Sequence, residues 1–565
     1  MKFTDYTYSR PNYDDIKVKV TDLTEKLAVA ASTDEARQIV QDITTISSAV
    51  DTQMNLWSIR HSIDMRDEFY NQETIFWNEH NPLFDELWTN YYRVIVDSPY
   101  RSDLTDLLPE TFFMLAENKL QTFSSVAIPL FQKENELVDQ YNNLMATAQL
   151  DFRGQTYNLS QMSPFTQSID RATRKEASET VTSFFEKHEA DFDTIYDQLV
   201  KTRNEIATTL GFKDYVEYGY KMMNRFDYNR DMVKVYREEI LKHVVPVVQK
   251  LRQRQAKRIQ VPNLKYYDLT LEYLDGNATP KGSPDELVAQ AQKMYQELSP
   301  ETGQFFDFMV KHDLLDLLAK EGKDTGGYCT YIADYQSPFI FANFNGTSAD
   351  IDVLTHEAGH AFQVFRSRWI PSPEVIWPTY ESCEIHSMSM EFITWPWMEN
   401  FFKDQVKKYK FSHLASALFF LPYGVLVDHF QHEVYEHPEM TPTERKATWR
   451  RLAELYLPDR DDSESDFLSR GGFWFRQGHI FASPFYYIDY TLAQVCALQF
   501  WKRTQVDQDP ATWKDYLHIC DLGGSKTFLQ IVEAARLQSP FKEGALESTI
   551  TAAMSYLDSI DDTEL

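Results

Sequence analysis

The sequence predicts a mainly α-helical protein with one small β-sheet. Glycine and proline supply only 41 of 565 residues, about 7% where average usage gives roughly 12%, too few turns for a many-stranded architecture. Apolar residues recur at helical spacing over most of the chain. One stretch, 326–347, alternates as strands do.

From about residue 14 to 145 the patterning is helical, with Ile39, Val40, Ile43, Ile46 and Val50 on one face behind capping residues at 32–35. Two extended runs around Arg153 and Gly154, in AQLDFRGQTYNLS (148–160), read as a small hairpin. Helical periodicity resumes over 172–210 and 216–223. The run KLRQRQAKR (250–258) carries five cations in nine residues and reads as a solvated helix face. At Gly326 the character changes: GGYCTYIADYQSPFIFANFNGT (326–347) reads as two short strands around a loop. Thr347 and Asp350 then read as a capping box opening a helix near residue 348. Helices dominate again over 379–456 and 484–560, separated by an acidic loop at 458–466 and the glycine-containing SRGGFWFRQGH (469–479).

Composition narrows the function. A net charge of −29 argues against nucleic acid or a membrane surface as partner. A hydrophobic content of 43% and an aromatic content of 14% exclude a disordered acidic chain. The four cysteines, Cys329, Cys383, Cys496 and Cys520, show no CxxC spacing, so neither a disulfide framework nor a cysteine metal site is expected. The N-terminus has no apolar targeting core, and the longest apolar stretch, 414–427, is broken by Pro422. A soluble cytoplasmic protein is the expectation.

His356-Glu357-Ala358-Gly359-His360 is an HExxH motif on the helix after the strands. Residues four apart share a helix face, so both imidazoles can meet one ion while Glu357 reaches its water. Even with aspartate allowed in place of glutamate, chance supplies this pattern only about 0.05 times in a chain of this composition, and here the strand, turn and helix context agrees. A catalytic zinc takes three protein ligands. The segment PTYESCEIHSMSMEF (378–392) offers Glu381, Glu384, His386 and Glu391, and spacing does not choose among them. In HFQHEVYEH (429–437), His432 has Glu436 where a second histidine would stand, so that run reads as a polar helix face before Pro438. Taken alone, FYYIDY (485–490) reads as a core aromatic stripe.

Three ordered segments, PFIFANFNGTSADIDVLTHEAGHAFQ, WPTYESCEIHSMSMEF and RQGHIFASPFYYIDYTLAQ, resemble the thimet-oligopeptidase and oligoendopeptidase F family of zinc peptidases, most closely the Pz-peptidase type. The likeness spans roughly 145–545, including TLGFKDYVEYGYKMMNRFDY (209–228); the first 140 residues match only in being helical. The resemblance implies a two-lobed helical zincin with a deep substrate channel, divided as an N-terminal lobe over 1–195 and a catalytic domain over 196–565. It implies one Zn2+ per chain held by His356, His360 and Glu384, with Glu391 supporting the ligands and Glu357 as general base. His479, Tyr487 and Tyr490 match the family's donors to substrate and oxyanion, with Tyr486 competing for the place of Tyr487. By analogy the strand Phe339, Ile340, Phe341, Ala342, Asn343, Phe344 is an edge to which an extended substrate adds its backbone. The implied activity is endopeptidase cleavage of short peptides by a monomer. Rival readings are a helical metallo-carboxypeptidase, an aminopeptidase suggested by Met398-Glu399-Asn400, and a non-catalytic peptide-binding protein of the same fold. Cys383, beside Glu384, reads as a buried inert thiol.

Overall fold

Among residues 1–324 and 326–565, which the computed structural model describes, helices alternate with only five short strands. These are β1 (Leu150–Phe152), β2 (Gln155–Tyr157), β3 (Leu315–Leu318), β4 (Tyr328–Ile332) and β5 (Ser337–Phe344). The chain divides into two units that interleave along the sequence. The first comprises Met1–Gln121, Thr279–Val406 and Cys496–Gln538; the second comprises Thr122–Ala278, Lys407–Val495 and Ser539–Leu565.

The first unit begins with the helices Tyr13–Ala28, Thr33–Ile63 and Glu68–Val96. Ser32 caps the second of these by accepting from the Glu35 amide, while the Glu35 carboxylate accepts from the Ala31 amide. Two backbone donors that lack helical partners are thereby satisfied. Ile39, Val40 and Ile43 pack with Tyr91, Tyr92, Ile95, Phe112 and Phe113. Burying each such side chain contributes about 1.5–3 kcal/mol, which is why the apolar face set the helix so clearly.

Sheet order in this unit is β3-β5-β4, with β5 parallel to β3 and antiparallel to β4. The expected strand pair is present, but β5 is central and not an edge. Its backbone pairs with β4 from Ser337 to Phe341 and with β3 at Ile340, Phe341 and Phe344. The Asn343 side-chain amide donates to the Asp324 and Gly326 carbonyls, and the Lys323 ammonium donates to the Ala342 carbonyl. With a strand on each side at Ile340 and Phe341, β5 offers no free edge there for a substrate strand. Residues 315–318, Leu-Asp-Leu-Leu, are too short to show alternation, and β3 was not expected.

Helix Ala349–Ser367 follows β5 and carries the HExxH motif. The expected capping box does not form: Ser348 precedes the helix without a side-chain cap. Asp350 instead turns back to accept from the Asn345 and Gly346 amides at 2.9 and 2.8 Å. Its carboxylate fixes the turn out of the sheet, a use of the same residue that sequence spacing does not distinguish from capping. Phe362 stacks on Trp513 and meets the edge of Phe305, so the helix is buried on several sides.

Helix Tyr380–Ile393 packs against the motif helix at one point of unusual closeness. A Cβ on Gly359 would lie 2.7 Å from both the His386 carbonyl oxygen and the Ser387 Cα. Only glycine lets the two backbones approach this far.

In the second unit β1 and β2 form the expected antiparallel hairpin. The 250–258 run lies in helix Val245–Arg258 but is not a solvated face. Arg254 pairs with Asp558 and Asp562, Arg258 with Asp562, and Arg252 with Asp459. Partners some 200 to 300 residues away in sequence explain why local composition misread these arginines. Nor is 429–437 simply a polar face. His432 is buried between the Tyr220 hydroxyl at 2.9 Å and Asp428 at 3.4 Å, and His429 meets the Tyr456 hydroxyl.

Gly359→Ala is expected to destabilise the chain by about 2 kcal/mol or more, as overpacking against unyielding backbone does. Denaturant titration together with metal analysis checks this: the variant should unfold earlier and retain less metal.

Candidate metal centre and donor cluster

The motif helix presents His356 and His360 on one face, their ring centroids 5.0 Å apart. Glu384, from helix Tyr380–Ile393, points an oxygen at both: Oε2 lies 3.2 Å from His356 Nε2 and 3.5 Å from His360 Nε2. One ligand atom from each of these three residues falls within 4.8 Å of the others. Ser387 Oγ donates to Glu384 Oε2 at 3.0 Å, holding the carboxylate's orientation. Glu391, two turns further along the same helix, accepts from His356 Nδ1 at 2.7 Å. That bond leaves Nε2 free to bind an ion, the usual arrangement behind a histidine ligand. His360 Nδ1 is buried with no hydrogen-bond partner among the described residues.

Four candidates for the third ligand now separate. Glu384 reaches the imidazoles and Glu391 backs one of them. His386 is fully buried and donates from Nδ1 to the Ser382 carbonyl at 2.7 Å, while burial lowers its pKa to about 4 and keeps it neutral. Glu381 is buried and is not among the three grouped ligand atoms.

Electrostatics around these groups favour a positive ion. Burial opposes charge on His356, yet its bonds to Glu384 and Glu391 outweigh that cost and raise its pKa well above 6.5. Burial would likewise neutralise Glu384, but His360 and His356 pull its pKa well below 4.5. The same carboxylates that stabilise a proton would stabilise a divalent cation in its place. Two imidazoles and a carboxylate are a donor set zinc accepts, so the residues fit such an ion.

Glu357 is buried, 7% exposed, and burial raises its carboxyl above the usual 4.5 against the opposing pull of His356 and His360. A Cβ on Gly327, immediately before β4, would lie 3.8 Å from its Oε1. The start of the edge strand β4 therefore adjoins this carboxylate.

In the second unit His479 lies in the short helix Gly478–Ala482 and Tyr487 opens helix Tyr487–Trp501. The His479 ring has Tyr487 at 4.9 Å, Tyr486 at 5.9 Å and Tyr490 at 6.1 Å. All four sequence candidates thus gather in one cluster, with Tyr487 nearest. Burial pushes the Tyr487 phenol up to about 12, so it remains a donor at neutral pH.

The loop before these tyrosines is pinned by residues that the motif reading did not single out. Phe485 adopts φ of 67°. Its amide donates to Gln431 Oε1 at 2.9 Å, and Arg225 donates both to its carbonyl and to Asp489. Phe485 packs where a Cβ on Gly219 would stand, 2.6 Å from the ring. Gly219 and Arg225 both lie in the 209–228 segment, which was the signal available for them.

An HExxH helix flanking a small sheet, with a glutamate from the next long helix brought against both imidazoles, is the arrangement of a metallopeptidase. Residues 165–550 match peptidase family M3, and residues 3–123 match the peptidase M3 N-terminal domain. The chain belongs to peptidase family M3, its N-terminal helices included. A solved structure named as an oligoendopeptidase F is 51% identical with a TM-score of 0.93, covering all of both chains. Pz peptidase A with an inhibitor is 50% identical at 0.93, again over all of both chains. A Bacillus anthracis protein named as an oligoendopeptidase F is 51% identical at 0.89, covering 100% of this chain and 99% of that one. Oligoendopeptidase-F from Enterococcus faecium, at 14% identity and 0.65, shares the fold. No curated protein matches the chain.

Glu391→Gln should weaken metal affinity by about 10- to 100-fold, as loss of a histidine's supporting carboxylate does, while leaving the ligands in place. Titration with a competing chelator measures the change. Glu384→Ala should leave the purified chain without stoichiometric metal.

Proposed function

We propose that this metallopeptidase is a zinc-dependent endopeptidase of short oligopeptides, acting in the cytoplasm as a monomer with one Zn2+ per chain. The convergence of His356 Nε2 and His360 Nε2 on one Glu384 oxygen, at 3.2 and 3.5 Å, with Glu357 next on the same helix, carries this reading. Relatives at 50 and 51% identity named as Pz peptidase A and oligoendopeptidase F support peptides as substrates. Free thiols at all four cysteines suit a reducing compartment. A net charge of −29 disfavours nucleic acid or anionic membrane as partner.

Zinc held by His356, His360 and Glu384 would supply Lewis acidity to the scissile carbonyl and to a water. The remaining steps belong to the chain. Glu357 takes the water's proton as attack begins and delivers it to the leaving amine as the C–N bond breaks. Its raised pKa suits a group that must both accept and release a proton. His479, Tyr487 and Tyr490 are assigned as donors to substrate and to the developing oxyanion, each such donor worth about 3–4 kcal/mol when well placed.

The substrate's main chain is assigned to β4, the edge strand, instead of β5. Support comes from the sheet order and from the proximity of Gly327 to Glu357. A peptide added along β4 is held through backbone groups, which favours broad side-chain tolerance.

Glu357→Gln should lower kcat by about 10²- to 10⁴-fold on an internally quenched peptide blocked at both ends, with metal content unchanged. Wild type should cleave that blocked peptide, lose activity with a chelator and regain it with zinc. Unchanged turnover in Glu357→Gln would overturn the mechanism.

A further inference from the structure

Two residues behind His479 form a hydrogen-bonded relay that neither the family match nor the motif reading assigns. Tyr423, on helix Val406–Glu436, places its hydroxyl 2.7 Å from Gln477 Oε1, and Gln477 Nε2 lies 2.9 Å from His479 Nδ1. We propose that Gln477, oriented by Tyr423, is a positioning residue that holds His479 as the neutral tautomer with its proton on Nε2, so that the ring faces substrate as a hydrogen-bond donor. This rests on the assignment of His479 as a donor made above.

The orientation of the amide follows from where protons must go. Burial raises the Tyr423 phenol above its usual 10, so it stays protonated, and Gln477 Oε1 is its hydrogen-bonding partner among the described residues. With Oε1 taking that proton, the amide presents Nε2–H to the imidazole. Nδ1 then accepts, and a neutral ring has Nε2 as its only protonated nitrogen. The opposite amide orientation would leave the Tyr423 proton without its acceptor, a cost that a buried donor avoids.

His479 stays neutral because burial lowers its pKa below 6.5. The rings against it are Tyr486, Tyr487 and Tyr490, and Tyr141 packs beside Gly478 with its hydroxyl donating to the Phe475 carbonyl. Within this unit no carboxylate is hydrogen-bonded or ion-paired to His479 among the described residues, and the nearest charged group in sequence is Arg476. An amide partner therefore fixes the tautomer without adding charge. A carboxylate in its place would accept from Nδ1–H, raise the pKa of the ring and leave the neutral form with a bare Nε2.

The test is the pH profile of kcat for Gln477→Glu, run beside wild type, His479→Ala and Tyr423→Phe on the metal-loaded full chain. In Gln477→Glu only the imidazolium can donate from Nε2, so kcat should hold on the acid side and fall about tenfold per pH unit above the raised pKa. Wild type should show no such descending limb. Tyr423→Phe should lower kcat by about tenfold with KM and metal content unchanged, the loss of one orienting hydrogen bond. It provides the reading if Gln477→Glu does not fold. A loss in His479→Ala with a wild-type profile in Gln477→Glu, or an unaltered kcat in Tyr423→Phe should Gln477→Glu not fold, overturns the relay alone. Full activity in His479→Ala overturns the donor role on which the relay rests.

Discussion

The approach of two helix backbones at Gly359 is the constraint on which the metal centre depends. A zinc ion accepts nitrogen and oxygen ligands at about 2.0–2.2 Å, so the helices contributing them must be held in one fixed relation. Here the missing Cβ brings the turn carrying His356 and His360 against the His386 carbonyl and the Ser387 Cα. Glu384, two residues earlier on that second helix, is thereby set within reach of both imidazoles, and Glu391 behind His356. The glycine inside HExxH is thus part of the ligand geometry although it touches no ligand atom.

Both units bury charge, and both pair it. Around the HExxH motif, carboxylates and imidazoles stabilise one another's charged forms despite burial, a balance that favours a cation among them. In the second unit Arg225 is buried against Asp489 and the Phe485 carbonyl, holding a strained loop whose next two residues are tyrosines. Removing one partner of such a buried pair leaves the other uncompensated, at a cost of about 3–5 kcal/mol.

Much of this could be read from residue order. The helical periodicity around Ile39 and Val40, the strand pair after Gly326 and the HExxH helix were all expressed in local patterns. The choice of Glu384 among four candidates, and the grouping of His479 with the tyrosines, came only from resemblance to a family, because spacing along one helix cannot show which carboxylate faces another helix. What local reading missed has a common cause. The centrality of β5 depends on β3, four residues without alternation. The roles of Arg254 and Arg258 depend on Asp558 and Asp562, some 300 positions away. Asp350 has the spacing of a cap but serves the preceding turn. In each instance the deciding partner is distant, or competes for the same side chain.

The central claim is that two imidazoles and one carboxylate hold the metal. X-ray absorption at the zinc edge of the purified protein tests it most directly, since Cys383 adjoins Glu384 and offers sulfur as the contrasting ligand. The account predicts scattering from nitrogen and oxygen at about 2.0–2.2 Å with the multiple-scattering pattern of two imidazoles. A sulfur shell at about 2.3 Å, or a spectrum lacking imidazole, would contradict it.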